Sequence, residues 1–181
     1  MLDLKTGRFV IDAEKGWELH PFMSRQEFFN SGLFNSEYLD KEDDFSLKDN
    51  VFGFGPMSIN GYEMYMTVDF GGLHDCVERI TLISTKLSEI KDINNMPSNW
   101  EEIAYETKRT HDEFLQKETS MAPSCLNEDK DNSFMVSWGG FRSDFCLRYD
   151  IPDVEIVINY DNLTEEDKAE LEKIPDDELW S

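Results

Sequence analysis

His74, Asp75 and Cys76 follow one another directly after a Gly71-Gly72 pair, placing an imidazole, a carboxylate and a thiol in one short run. An imidazole beside a thiolate can ligate zinc or activate a sulfur nucleophile. A zinc site takes four ligands, however, and no Cys-x-x-Cys or His-x-x-x-His spacing accompanies this run. A turn histidine followed by a strand cysteine is the favoured reading. Asp129-Lys130-Asp131-Asn132-Ser133 offers the alternating oxygens of a calcium loop, but Phe134 stands where such a loop needs glycine. Gly140 stands where it needs a bidentate glutamate. Cys125 and Cys146, with His20, His74 and His111, complete the inventory for nucleophilic catalysis, yet there is no Gly-x-Ser-x-Gly elbow and no Walker-type glycine loop. The expectation is a non-enzyme with no catalytic residue, metal or cofactor. A pocket near His74 and Cys76, serving a small cytosolic enzyme or ligand binder, is the alternative.

The charge is more telling. The chain has 181 residues, with 17 basic side chains against 39 acidic ones and a net charge of -22. Such a balance with a mean hydropathy of -0.56 points toward disorder, but an aromatic content of 13% opposes it, because buried rings supply the burial that disordered chains lack. A polyanion is a poor electrostatic partner for nucleic acid or an anionic membrane. It suits a basic protein, a cation, or plain solubility. Three cysteines without tight spacing (Cys76, Cys125 and Cys146) argue against a disulfide framework and for a reducing compartment. The first residues lack the basic-then-apolar pattern of a signal peptide, and apolar runs are only a few residues long. The expected address is cytoplasmic.

These side chains must be positioned by a sheet. In Gly61 to Gly72, Tyr62, Met64, Met66, Val68 and Phe70 share one face and Glu63, Thr67 and Asp69 the other, the period of two of a half-buried strand. Val51–Ile59 precedes it as a strand whose Gly53, Gly55 and Pro56 suit an edge or a bulge. Cys76–Lys86, rich in β-branched residues, follows. Phe134, Val136 and Trp138 lead into a Gly139-Gly140 turn, and the strands Phe141–Tyr149 and Val154–Tyr160 complete a second meander. Arg8–Ile11 and Trp17–His20 form a small hairpin. Ser24 and Glu27 have capping-box spacing with Met23 and Phe28 as a hydrophobic staple, predicting a helix to about Ser31. Ser98 and Glu101 repeat that spacing. They open the longest helix, Asn99–Lys117, whose inner stripe is Trp100, Ile103, Ala104, Thr107, His111, Phe114 and Leu115. Thr164 caps a last short helix.

The fold class that follows is α+β: antiparallel meanders with helices packed on one side, as two helix-plus-three-strand units. Residues 1–163 form one domain and 164–181 an acidic C-terminal helix and tail. An acidic α+β chain of this size resembles the immunity proteins of bacterial polymorphic and contact-dependent toxin systems. The likeness lies in charge, size and the helix-then-meander plan with starts such as His20-Pro21-Phe22-Met23-Ser24. It implies a cytoplasmic inhibitor that binds a basic toxin domain, often a nuclease, and acts as a monomer or weak dimer. For that role the steering carboxylates are Asp40, Glu42, Asp43 and Asp44, then Glu128, Asp129 and Asp131. Tyr38, Phe45 and Trp180 are the aromatic anchors beside them.

Overall fold

The computed structural model describes residues 1–40, 50–89, 97–120, 131–146 and 152–171 (the described residues). Its strands are β1 (Phe9–Asp12), β2 (Trp17–Leu19), β3 (Val51–Ile59), β4 (Tyr62–Gly71), β5 (Cys76–Ser84), β6 (Asn132–Val136), β7 (Gly139–Cys146) and β8 (Asp153–Tyr160). The helices are α1 (Arg25–Phe29), α2 (Trp100–Thr119) and α3 (Glu165–Leu171). In β4, Met64, Met66, Val68 and Phe70 are buried while Glu63 is exposed, as the period of two dictates.

Six strands form one antiparallel sheet in the order β3-β4-β5-β8-β7-β6, and β1 and β2 pair separately. The fold is α+β. Each half repeats one plan: α1 precedes the β3-β4-β5 meander, and α2 precedes β6-β7-β8. The third strand of each half meets the other at the centre, where Ile80 lies opposite Ile158. The strand order therefore reads the same outward from the β5–β8 junction in both directions.

The core lies on one face. Phe28 of α1 sits among Phe52, Phe54 and Phe70, with ring centroids 5.1 to 6.1 Å away. Phe9, Ile11 and Leu19 of the small hairpin and Phe114 and Leu115 of α2 join the same cluster. Burying each such side chain contributes about 1.5–3 kcal/mol. Ser24 caps α1 by accepting from the Glu27 amide at 3.2 Å, and Met23 and Phe28 are buried as the staple requires. The edge strand β3 is irregular where expected: its register with β4 shifts between Phe54 and Met57, across Gly55 and Pro56.

Four local expectations need correction. The long helix starts at Trp100 with Asn99 as N-cap and no side-chain cap, so Ser98 and Glu101 form no capping box. β5 ends at Ser84, and Thr85–Glu89 is a 3₁₀ turn. The second hairpin turns at Ser137-Trp138, while Gly139 and Gly140 already belong to β7. Gly139 is there because the strands crowd it: a Cβ would lie 2.2 Å from the Asn159 carbonyl oxygen, and its φ is +137°. Finally, Lys108, Asp112 and Glu118 are buried although they lie off the apolar stripe read from the sequence.

Candidate protein-binding surface

Residues 38–40 run along the outer edge of β3. The Gly55 amide donates to the Tyr38 carbonyl and the Asp40 amide to the Gly53 carbonyl, each at 2.9 Å. Leu39 between them is buried. Asp40 is thereby held exposed at that edge. Tyr38 is half-buried, edge-on to Trp17 with centroids 6.0 Å apart, and Lys15 Nζ lies 4.3 Å from the Trp17 ring and 5.6 Å from that of Tyr38. It fastens this segment to the β1–β2 turn instead of standing out as an anchor. Asp131 is also exposed, and one of its oxygens accepts from the Phe145 amide at 2.7 Å, tying the start of β6 to β7. Asp40 and Asp131 thus mark opposite edges of the sheet. Glu42, Asp43, Asp44, Phe45, Glu128, Asp129 and Trp180 lie outside the described residues.

The fold assembles a further acidic surface on α2. With Ala104, Thr107, His111, Phe114 and Leu115 turned inward, the outer side presents Glu101, Glu102, Glu106 and Glu113, all exposed, against Arg109 and Lys117. Glu106 lies 3.8 Å from Lys86. Glu101, Glu102 and Glu113 have no ion-pair partner among the described residues. Tyr105 rises between them, 40% exposed, its ring 4.9 Å from that of Phe145. The field of this face is felt nearby: burial raises the Tyr62 phenol above its ordinary pKa, and Glu113 and Glu118 add to the rise. The signal for the surface was in the sequence, as the complement of the apolar stripe.

His74 and Cys76 turn to different partners. His74 is exposed and its Nε2 lies 2.8 Å from Asp167 at the start of α3. Asp167 also closes a full capping box with Thr164: its carboxylate accepts from the Thr164 amide at 2.7 Å, and Thr164 Oγ1 accepts from the Asp167 amide at 3.1 Å. The Thr164 hydroxyl and His74 together hold the Asp167 carboxyl down at about 2. Cys76 is buried, donates from Sγ to the His74 carbonyl at 3.3 Å, and has its thiol pKa raised, first by burial and then by Asp75 and Glu27. A cleft of about 740 Å³ opens beside His74, whose ring lies 6.1 Å from that of Phe22 in its lining; Arg8, His20, Trp138, Asp161 and Lys168 also line it. Its bases are already matched, Arg8 by Glu18, His20 by Glu27 and Lys168 by Glu165. Among the described residues, no group of three His, Cys, Asp or Glu side chains is placed to hold a metal ion. No helix among them is long and apolar enough to cross a membrane.

Comparison with protein-family models, with curated proteins and with solved structures gives no match.

Proposed function

We propose that this chain is a protein-binding inhibitor of a basic partner, an immunity protein that neutralises a cognate toxin domain. The observation that carries the reading is the outer face of α2, where Glu101, Glu102 and Glu113 are exposed around the half-exposed Tyr105, without ion-pair partners among the described residues. Like charges held on one rigid element repel one another, and that cost is recovered when a cationic surface docks. Such a face accelerates encounter with a basic domain by orders of magnitude and can occupy the place of phosphates in a nuclease cleft. Tyr105 supplies an aromatic of the kind that dominates measured binding hot spots.

The test is the association rate with a basic toxin domain encoded beside this chain, measured by stopped flow over a range of ionic strength. The expected result is an association rate that falls at least about tenfold from low to high salt. A triple variant, Glu101→Lys, Glu102→Lys and Glu113→Lys, should slow association at low salt and abolish protection of toxin-expressing cells while leaving the unfolding midpoint nearly unchanged. Salt-independent association, or full protection by the triple variant, overturns the reading.

A further inference from the structure

The two edges of the six-stranded sheet are built differently. β3 is blunted: its register shifts across Pro56, and the Gly53 carbonyl and Gly55 amide already pair with residues 38–40. β6 has none of these devices among the described residues. From Asn132 to Trp138 there is no charged residue and no proline, and its pairing with β7 runs without a register shift. Its hydrogen-bond parity is fixed by the two-residue turn, which makes Val136 and Gly139 the closing hydrogen-bonded pair. The far side of β7 agrees, since the Asp161 amide donates to the Trp138 carbonyl at 2.8 Å, leaving the Gly139 amide and carbonyl turned toward β6. Asn132, Phe134 and Val136 therefore spend their backbone groups on β7, while Ser133 and Met135 turn theirs outward. Both residues are exposed, Met135 to 82%.

Beside this edge lies a cleft of about 240 Å³, lined by Ser133, Met135, Gly139, Gly140 and Arg142 among others. The absence of a side chain at Gly140 opens it, because a Cβ there would meet the Phe134 carbonyl at 2.7 Å and Met135 Sδ at 3.0 Å. We infer that β6 is a docking edge, to which an extended segment of a basic partner protein adds as a seventh antiparallel strand, seating one side chain in the cleft. The inference rests on the proposed function for the charge of that partner. A second copy of the chain would bring another net charge of -22 against the first, which opposes self-pairing. The acidic helix also adjoins this edge, as Asp112 of α2 lies 3.5 Å from Asn132 of β6. A cationic strand is the occupant that answers both the bare backbone and the charge.

The test uses the full-length protein and a short synthetic peptide of alternating lysine and valine, with amide hydrogen exchange read residue by residue. The peptide should slow exchange at Ser133 and Met135 by about tenfold or more, because both amides gain acceptors. Ser133→Pro should remove that binding while keeping the β6–β7 ladder, since the lost amide points away from β7. N-methylation of alternate peptide amides should remove it with the unaltered protein, which keeps the test independent of whether the proline variant folds. Equal binding by the N-methylated peptide, or no binding, overturns strand addition. Salt-sensitive binding that protects other residues but not Ser133 and Met135 overturns it too, and leaves the basic-partner reading standing. Concentration-dependent protection of these amides without peptide would replace the basic strand by a second copy and overturn the inference.

Discussion

Lys108 Nζ lies 2.6 and 2.8 Å from the two carboxylate oxygens of Asp112, one helical turn further along α2, and both side chains are buried beneath the helix. Removing one partner of such a pair leaves an uncompensated charge out of water, whereas replacing both with apolar groups of similar volume is often close to neutral. Lys108→Met, which leaves the buried Asp112 carboxylate without its cation, should cost about 3–5 kcal/mol in urea unfolding, and the double variant with Asp112→Leu should cost less than the sum of the two single losses. Additive losses would show that the two groups do not act as a pair.

His111 faces the same interior and is fully buried, its Nε2 accepting from the Ser84 amide at 3.1 Å. Burial, helped by the Lys108 charge, lowers its pKa to about 3, so the imidazole is neutral in the fold with its proton on Nδ1. The unfolded chain takes up a proton near pH 6.5 that the native state refuses. Stability is therefore complete above that pH and declines as the pH falls toward the folded value, by roughly 1 kcal/mol per pH unit. Exchanging His111→Gln keeps an acceptor for Ser84 and should flatten the unfolding midpoint between about pH 6.5 and 5, above the range where carboxylates titrate. An unchanged pH slope would show that His111 is not the group responsible.

Cys76 combines burial with a raised thiol pKa, so little thiolate forms and reagents reach it poorly. In a Cys125→Ser, Cys146→Ser background, iodoacetamide should alkylate the native protein at neutral pH at least about tenfold more slowly than the urea-unfolded chain. Equal rates would mean that the β4–β5 turn opens freely or that the thiol is activated.

Two glycines with positive φ separate crowding from backbone strain. Gly72 has φ +69° and nothing within 4 Å of the place a Cβ would take, so Gly72→Ala should cost about 1–2 kcal/mol, the backbone penalty alone. Gly139→Ala adds a collision with the β8 backbone and should cost about 2–5 kcal/mol in the same denaturation assay. Similar losses at the two positions would show that β7 and β8 can separate without penalty.

The elements were legible because each is set by neighbours in the chain. Alternation in β4 follows from the two-residue repeat of an extended backbone, the Ser24 cap from hydroxyl chemistry at a helix start, and α2 from one apolar stripe. The same local patterns did not reveal that Lys108 and Asp112 turn inward as a pair. A lysine and an aspartate four apart look alike on a wet face and on a buried one. Nor did they separate the two Gly-Gly pairs, of which Gly71-Gly72 leads into a turn, while Gly139 admits the backbone of β8 and Gly140 that of β6.

By itself the sequence determined an antiparallel α+β protein with a surplus of carboxylates, since periodicity and charge are carried residue by residue. Only the tertiary structure decided that β5 meets β8, that Asp40 and Asp131 stand at opposite edges, that Tyr105 rises from an acidic helix face, and that Ser133 and Met135 turn bare amides outward. Those facts depend on which strands become neighbours. Strand neighbours are chosen by packing between segments far apart in the chain, through contacts that no local spacing records.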